Sequence, residues 1–214
     1  QSTELVRMLD AISTNLTSFF REERHFEFLT NKVFPSWTAR SGHGEKIRLW
    51  SAGCSSGEEP YSLAICMMDY FSGGLPADTK ILATDLSTKV LNRAQSGVYN
   101  AERIKKIPKS TLRKYFQKGV GSQAGEFRVK ECIREMIVFR RLNLMDPFPF
   151  KLRFSLICCR NVMIYFDKMT QGRLVNKFYD CLESGGYLFI GHSESLTGID
   201  HRFKYIQPAV YYKP

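Results

Sequence analysis

The segment Ile47-Arg48-Leu49-Trp50-Ser51-Ala52-Gly53-Cys54-Ser55-Ser56-Gly57-Glu58-Glu59-Pro60-Tyr61-Ser62 constrains the fold more than any other, because an apolar run gives way to small residues and then to a helix start. That succession predicts a strand, a tight loop and a helix. Gly53 and Gly57 remove side-chain bulk where a backbone turns sharply and approaches a ligand, and Ser55 or Ser56 is placed to cap the following helix. Glu58 and Glu59 then fall in the first helical turn, where carboxylates suit the positive helix end but repel a pyrophosphate. The expected ligand is therefore not rich in phosphate. The spacing is Gly-x-x-x-Gly and lacks the Gly-x-Gly-x-x-Gly fingerprint, so on its own the turn also fits an ordinary strand-to-helix connection.

From Ile47 onward the pattern alternates, with strands expected over 47–52, 80–84, 154–159 and 186–191 and helices over 58–71, 88–96 and 168–182. This is the signature of an α/β fold with a parallel sheet. Gly185-Gly186 is expected to end the late helix, and the aromatic tail 203–212 to add an antiparallel pair at the sheet edge. Ahead of the alternation, Leu5, Met8, Leu9 and Ile12 stand at helical spacing, and Phe26, Phe28, Leu29, Val33 and Phe34 suggest a second helix closed by Pro35. From about 97 to 141 the alternation breaks into short helical pieces and a glycine-rich loop over 119–125. Phe127-Arg128-Val129 and Ile137-Val138-Phe139 read there as hairpin strands. Such an insertion serves equally as a partner-recognition element or as a structural lid.

A chain of 214 residues that is 43% hydrophobic builds one main domain with room for a small appendage. No apolar run reaches the roughly 18 residues of a membrane span, and no signal-peptide pattern is present, so a soluble protein is expected. The six cysteines, Cys54, Cys66, Cys132, Cys158, Cys159 and Cys181, form no C-x-x-C pair, which argues for buried free thiols in a reducing cytoplasm and against zinc. The net charge of +10 predicts attraction to an acidic partner, whether nucleic acid, anionic membrane or protein. Much of it lies between Arg103 and Lys118, a run that fits a solvated face as well as a binding one.

Asp85 ends the second strand, where an acid is placed to bind ribose hydroxyls of an adenosine-bearing cofactor or to cap the next helix. Asn143-Leu144-Met145-Asp146-Pro147-Phe148 follows an apolar strand in the manner of a loop covering an adenine, with Asn143 placed to bond the base. Arg160, Asn161 and Tyr165 leave the next strand together and make a polar cluster at one strand end.

Thr14-Asn15-Leu16-Thr17-Ser18-Phe19-Phe20-Arg21-Glu22, the Trp50–Ser62 segment and Cys159-Arg160-Asn161-Val162-Met163-Ile164-Tyr165-Phe166-Asp167 together resemble the CheR family, chemotaxis receptor glutamate methyltransferases. Gly191-His192-Ser193-Glu194-Ser195 looks like the family's late strand and loop, and the resemblance runs over essentially the whole chain. It implies a Rossmann-like S-adenosylmethionine-dependent methyltransferase sheet with a small inserted β-hairpin subdomain and a truncated N-terminal helical region. The donor is then S-adenosylmethionine, the product S-adenosylhomocysteine, no metal is involved, and the acceptors are glutamate side chains on cytoplasmic receptor helices, whose methyl esters tune adaptation. By the same resemblance Asn15, Thr17, Arg21, Gly53, Glu59, Asp85, Asn143, Leu144, Arg160 and Asn161 hold the cofactor, and Arg21 and Tyr165 stand beside the transferring methyl. Residues 1–45 would be the remnant of a helical region, and 46–214 the methyltransferase domain of a cytoplasmic monomer, with the hairpin subdomain inserted at about 97–141. Family members usually carry several dozen helical residues before the Asn-Leu-Thr segment, so this chain, beginning at Gln1, looks truncated. The Gly119-x-Gly121-x-x-x-Gly125 loop resembles that of members whose hairpin grips a short peptide at the receptor's carboxyl terminus.

The chemistry needs no general base, because a glutamate with a reference pKa of about 4.3 is already ionised at neutral pH. A nucleic-acid methyltransferase shares the cofactor fold. Adenine amino-methylation commonly uses an Asp/Asn-Pro-Pro-Tyr/Phe loop, however, and Arg160-Asn161-Val162-Met163-Ile164-Tyr165 stands there instead. A non-catalytic module that senses S-adenosylmethionine and docks on a receptor is the other alternative, disfavoured by the intact Arg21 and Tyr165.

Overall fold

The computed structural model describes residues 17–40, 46–72, 74–75 and 78–214. The helix expected over 3–12 and the candidate Asn15 lie outside these residues. Seven strands make the main sheet: β1 (Arg48–Ala52), β2 (Lys80–Asp85), β6 (Ile137–Arg141), β7 (Phe154–Cys159), β8 (Leu182–Ile190), β9 (Lys204–Gln207) and β10 (Val210–Tyr212). Their spatial order is β6-β2-β1-β7-β8-β10-β9. The first five run parallel, and β10 and β9 add an antiparallel pair at one edge, as the aromatic tail predicts.

Both faces of the sheet are covered, and the strands show it. All six residues of β7 are buried, the continuous run that a central parallel strand requires. Along β1, Leu49 and Trp50 are both fully buried yet belong to different cores, one on each face. Trp50 anchors the second core against Phe148, Phe150, Phe154 and Phe178, with its indole N–H donating to Thr84 Oγ1 at 2.9 Å. From β1 the chain steps to β2 on one side, and β7 pairs on the other. Successive connections therefore diverge at the carboxyl ends of β1 and β7, the topological switch point at which open α/β sheets bind ligands.

Several sequence expectations are corrected. Ile137-Val138-Phe139 is not a hairpin strand of the insertion; it lies in β6, parallel to β2, with Ile81 opposite Ile137. Only Val138 of the three is appreciably exposed, the one-face burial of an edge strand, which a hairpin strand displays equally, so local pattern cannot name the partner. The insertion proper is a separate antiparallel sheet of β3 (Val98–Asn100), β4 (Phe116–Lys118) and β5 (Glu126–Val129), in the order β3-β5-β4. Pro35 does not close a helix. A helix α1 (Glu23–Phe28) passes through a π turn at Leu29–Val33 into α2 (Phe34–Arg40), and the wider π turn relieves the clash of a proline ring with the carbonyl one turn back.

The helix α3 (Glu58–Tyr70) begins after Gly57 in the left-handed region, with no side-chain cap from Ser55 or Ser56. The helix α4 (Thr88–Ser96) is capped by Ser87, whose hydroxyl accepts from the Val90 amide at 3.3 Å. Between α4 and β6 lie the short helices α5 (Ala101–Ile104), α6 (Lys109–Tyr115) and α7 (Glu131–Arg134). Late in the chain, α8 (Lys168–Cys181) ends before Gly185-Gly186, which instead sit inside β8 where its register against β7 slips. All six thiols are free, but Cys132 is exposed and Cys66 and Cys181 are half-buried.

Candidate active site

A cavity of about 280 Å³ opens at the switch point, lined from the segment before the first helix and from the segments that follow β1, β2, β6 and β7. Thr17 and Arg21 come from the segment before α1, Gly53 and Glu59 from the loop after β1 and the start of α3, and Asp85 from the end of β2. Asn143 and Leu144 follow β6, while Arg160, Asn161 and Tyr165 follow β7. Every candidate among the described residues thus borders one space, although Arg21 and Arg160 stand 139 positions apart in sequence.

The loop after β1 uses its amides internally. Gly53 and Cys54 N–H both donate to Thr84 O, Ser55 N–H donates to Asp85 Oδ2 at 2.8 Å, and Gly57 N–H donates to Cys54 O. A phosphate cradle needs such amides pointed at the ligand. Here one of them is turned onto a carboxylate, and no lysine lines the cavity among the described residues. Gly53 itself, at φ 86°, has no room for a side chain: a Cβ there would lie 2.5 Å from Val162 Cγ2.

Arg160 organises the floor. Its guanidinium bonds Glu59 Oε2 at 2.9 Å, Glu22 Oε2 at 3.1 and 3.2 Å, and the carbonyl of Arg21. Glu59 is held from its other oxygen by the Ser51 hydroxyl at 2.7 Å. These charges are almost wholly withdrawn from water, with Arg160, Glu22 and Glu59 side chains 5%, 11% and 12% exposed, which is tolerable because each is paired. Burial alone would raise the pKa of Glu22, but the Arg160 charge and the His192 amide hold it below the ordinary carboxylate value. Phe20 and Glu22 both adopt left-handed backbone, flanking Arg21 and turning it toward the cavity while Glu22 goes inward.

Glu22 is the member that sequence reasoning left without a role. Its partners Arg160, Asn161 and His192 lie at least 138 positions away, so no local signal marks it. His25 and His192 lie close enough to Glu22 that one atom from each falls within 4.8 Å of the others. Both Glu22 oxygens already accept N–H donors, however, and the Arg160 charge adjoins the group, so Glu22 is engaged by the Arg160 network, with the His25 ring buried beside it and His192 at the surface. Burial first, and the Arg160 charge second, push the His25 pKa down to about 3, leaving a neutral ring stacked on Phe189.

Asn143 and Asp146 bond each other across the loop after β6, and Asn143 Oδ1 accepts the Met145 amide. Lys177 of α8 clamps the same loop by donating to the carbonyls of Leu144 and Asp146. Tyr165 stands at the rim, 61% exposed. One member of the basic run turns inward, Arg103, which pairs with the fully buried Glu58 at 2.5 Å, whereas Lys105 and Lys114 pair with Glu102 and Asp69 at the surface. Burial holds the thiols of Cys54, Cys158 and Cys159 well above their usual pKa, so none of them supplies a thiolate nucleophile here.

Residues 15–212 match the family described as CheR methyltransferase, SAM binding domain. The chain is 47% identical over 214 residues to the chemotaxis protein methyltransferase of Borreliella burgdorferi, covering 98% of this chain and 74% of that protein. It is 40% identical to the Salmonella typhimurium protein of the same name, covering 98% of this chain and 70% of the relative. The Escherichia coli protein of that name is 39% identical, with 98% and 71% covered. On the family match and these relatives together, the chain belongs to the CheR methyltransferase family.

Proposed function

We propose that this S-adenosylmethionine-dependent chemotaxis methyltransferase esterifies glutamate side chains on the cytoplasmic helices of chemotaxis receptors, using Arg21 and Tyr165 beside the reacting atoms. The observation that carries the reading is the gathering of both residues, with Asp85, Glu59 and Asn143, around one cavity at the carboxyl edge of the sheet. The residues fit the donor: a ribose needs a carboxylate at a strand end, and a sulfonium nucleoside needs no phosphate cradle, which matches a loop that turns its Ser55 amide onto Asp85. When bound, the donor supplies an electrophilic methyl group on a good leaving group.

What the chain contributes is placement. In-line transfer requires the acceptor oxygen on the sulfur–methyl axis and partly stripped of water, and positioning of this kind lowers barriers by roughly 7–11 kcal/mol in favourable cases. Arg21 orients a carboxylate with its guanidinium fork, and Tyr165 donates one hydrogen bond near the acceptor oxygen without quenching the nucleophile. Arg160 keeps its charge for the floor, holding Glu59 and Glu22 in place. The separate sheet β3-β5-β4 offers the short edge strand β4 to an extended receptor tail, in the manner of strand addition.

The test is a split between binding and transfer. Asp85→Ala weakens S-adenosylmethionine binding by about 10- to 100-fold in a calorimetric titration, as loss of charge-assisted hydrogen bonds implies. Tyr165→Phe leaves that affinity within about twofold and slows tritiated-methyl transfer to receptor-enriched membranes about tenfold, one hydrogen bond's worth in the transition state. Unchanged affinity in the first variant, or unchanged transfer in the second, removes the corresponding assignment.

A further inference from the structure

The carboxylate of Glu194, on the loop after β8, gathers three backbone N–H groups: Oε2 accepts from Asn161 at 2.9 Å and from Gly191 at 2.6 Å, and Oε1 accepts from Ile164 at 3.2 Å. Two of these donors belong to the loop after β7 that carries candidate site residues. Asn161 is held there at φ 58°, and Ile164 lies in the 3₁₀ turn Met163–Tyr165, whose first amides have no partner within the turn. The two loops are pressed together, since a Cβ on Gly191 would lie 2.5 Å from Asn161 Nδ2 and 2.9 Å from the Asn161 amide nitrogen. Tyr165 is 61% exposed, so its position depends chiefly on the backbone that carries it.

We infer that Glu194 is a positioning residue for methyl transfer: one carboxylate locks the left-handed backbone at Asn161 and the turn that presents Tyr165, setting both against the cavity. The inference rests on the proposed placement of Tyr165 beside the reacting atoms. Glutamine at this position separates the two links. Its carbonyl oxygen, turned toward Asn161 and Gly191, keeps both of those bonds, and its NH2 group then faces the Ile164 N–H and cannot accept from it.

The experiment is a double-mutant cycle on the full chain, reading S-adenosylmethionine affinity by calorimetry and transfer by tritium incorporation into receptor-enriched membranes. Glu194→Gln is expected to slow transfer about tenfold with cofactor affinity within about threefold, whereas Glu194→Ala, which frees Asn161 as well, weakens both. In a Tyr165→Phe background, Glu194→Gln costs less than about threefold further, because the hydroxyl it positions is gone. If Glu194→Gln loses its cooperative melt, Glu194→Asp takes its place, and the same non-additivity is expected. Additive losses, or transfer by Glu194→Gln within about twofold of the parent, overturn the positioning role while leaving the proposed function standing. A Tyr165→Phe variant that transfers at the parental rate overturns the positioning role together with the placement of Tyr165 beside the reacting atoms, and leaves methyl transfer itself standing.

Discussion

The carboxyl edge of the main sheet and the inserted sheet β3-β5-β4 handle charge in opposite ways. At the sheet edge, Glu22 and Glu59 are withdrawn from water, joined through Arg160, and all three are drawn from segments far apart in sequence. In and around the insertion, pairs such as Lys105–Glu102 and Lys114–Asp69 lie in water, and Arg128 stands exposed on β5. A buried network fixes geometry at the cost of desolvation, so it belongs where atoms must be held for a reaction. An exposed array keeps its charges hydrated and available, which suits encounter with a partner.

The largest test of this contrast is Arg160→Met. It leaves Glu22 and Glu59 without the guanidinium that both of them bond, and breaking a buried pair from one side costs about 3–5 kcal/mol. Urea denaturation is expected to show that loss, accompanied by loss of S-adenosylmethionine binding. Lys114→Met breaks the exposed pair with Asp69, and its urea midpoint is expected to match the parent. Equal midpoints for the two variants would erase the distinction.

A pH series sharpens the same contrast. His25 is neutral in the native state, with its pKa down to about 3, against about 6.5 when unfolded. As pH falls below 6.5 the unfolded chain takes up a proton that the native ring refuses, so the unfolded state binds more protons and stability falls with decreasing pH. By pH 5 the loss from this residue is about 2 kcal/mol, and it continues to grow toward pH 3. Glu22, whose native pKa is lowered, contributes stability above its unfolded value that is lost at lower pH, so the window from 6.5 to 5 separates the histidine from Glu22. His25→Phe, which preserves ring packing on Phe189, is expected to flatten the stability–pH slope in that window. An unaltered slope means that another group is responsible.

These two networks also mark what was legible in the sequence. The α/β alternation and the candidates Asp85, Asn143, Arg160, Asn161 and Tyr165 were readable, because strand ends, loop residues and strand-to-helix turns are local patterns. The allotment of β6 to the main sheet was not, since one-face burial looks alike in an edge strand and a hairpin. Nor were the roles of Glu22, Glu194 and Arg103, each of which bonds at least one partner 30 or more positions away. Arg103 is the plainest case: it sits in a run of cations that reads as a solvated face, yet it neutralises the fully buried Glu58 behind the glycine loop.

The smallest expected effect concerns the insertion. Arg128 is central in the small sheet, exposed, opposite Val98 on one side and Gln117 on the other. An acidic receptor tail adding a strand to this sheet would meet that guanidinium across the sheet face, an interaction in high dielectric and open to salt. Arg128→Glu is therefore expected to weaken tail-peptide affinity several-fold, about 1 kcal/mol, by an amount that shrinks as salt is raised. Binding of S-adenosylmethionine is expected to stay at the parental value, because Arg128 does not line the cavity. A variant that binds tail peptides as the parent does at every salt concentration would mean that the exposed charges of the insertion are only a hydrated surface. Strand addition would then have to rest on backbone hydrogen bonds alone.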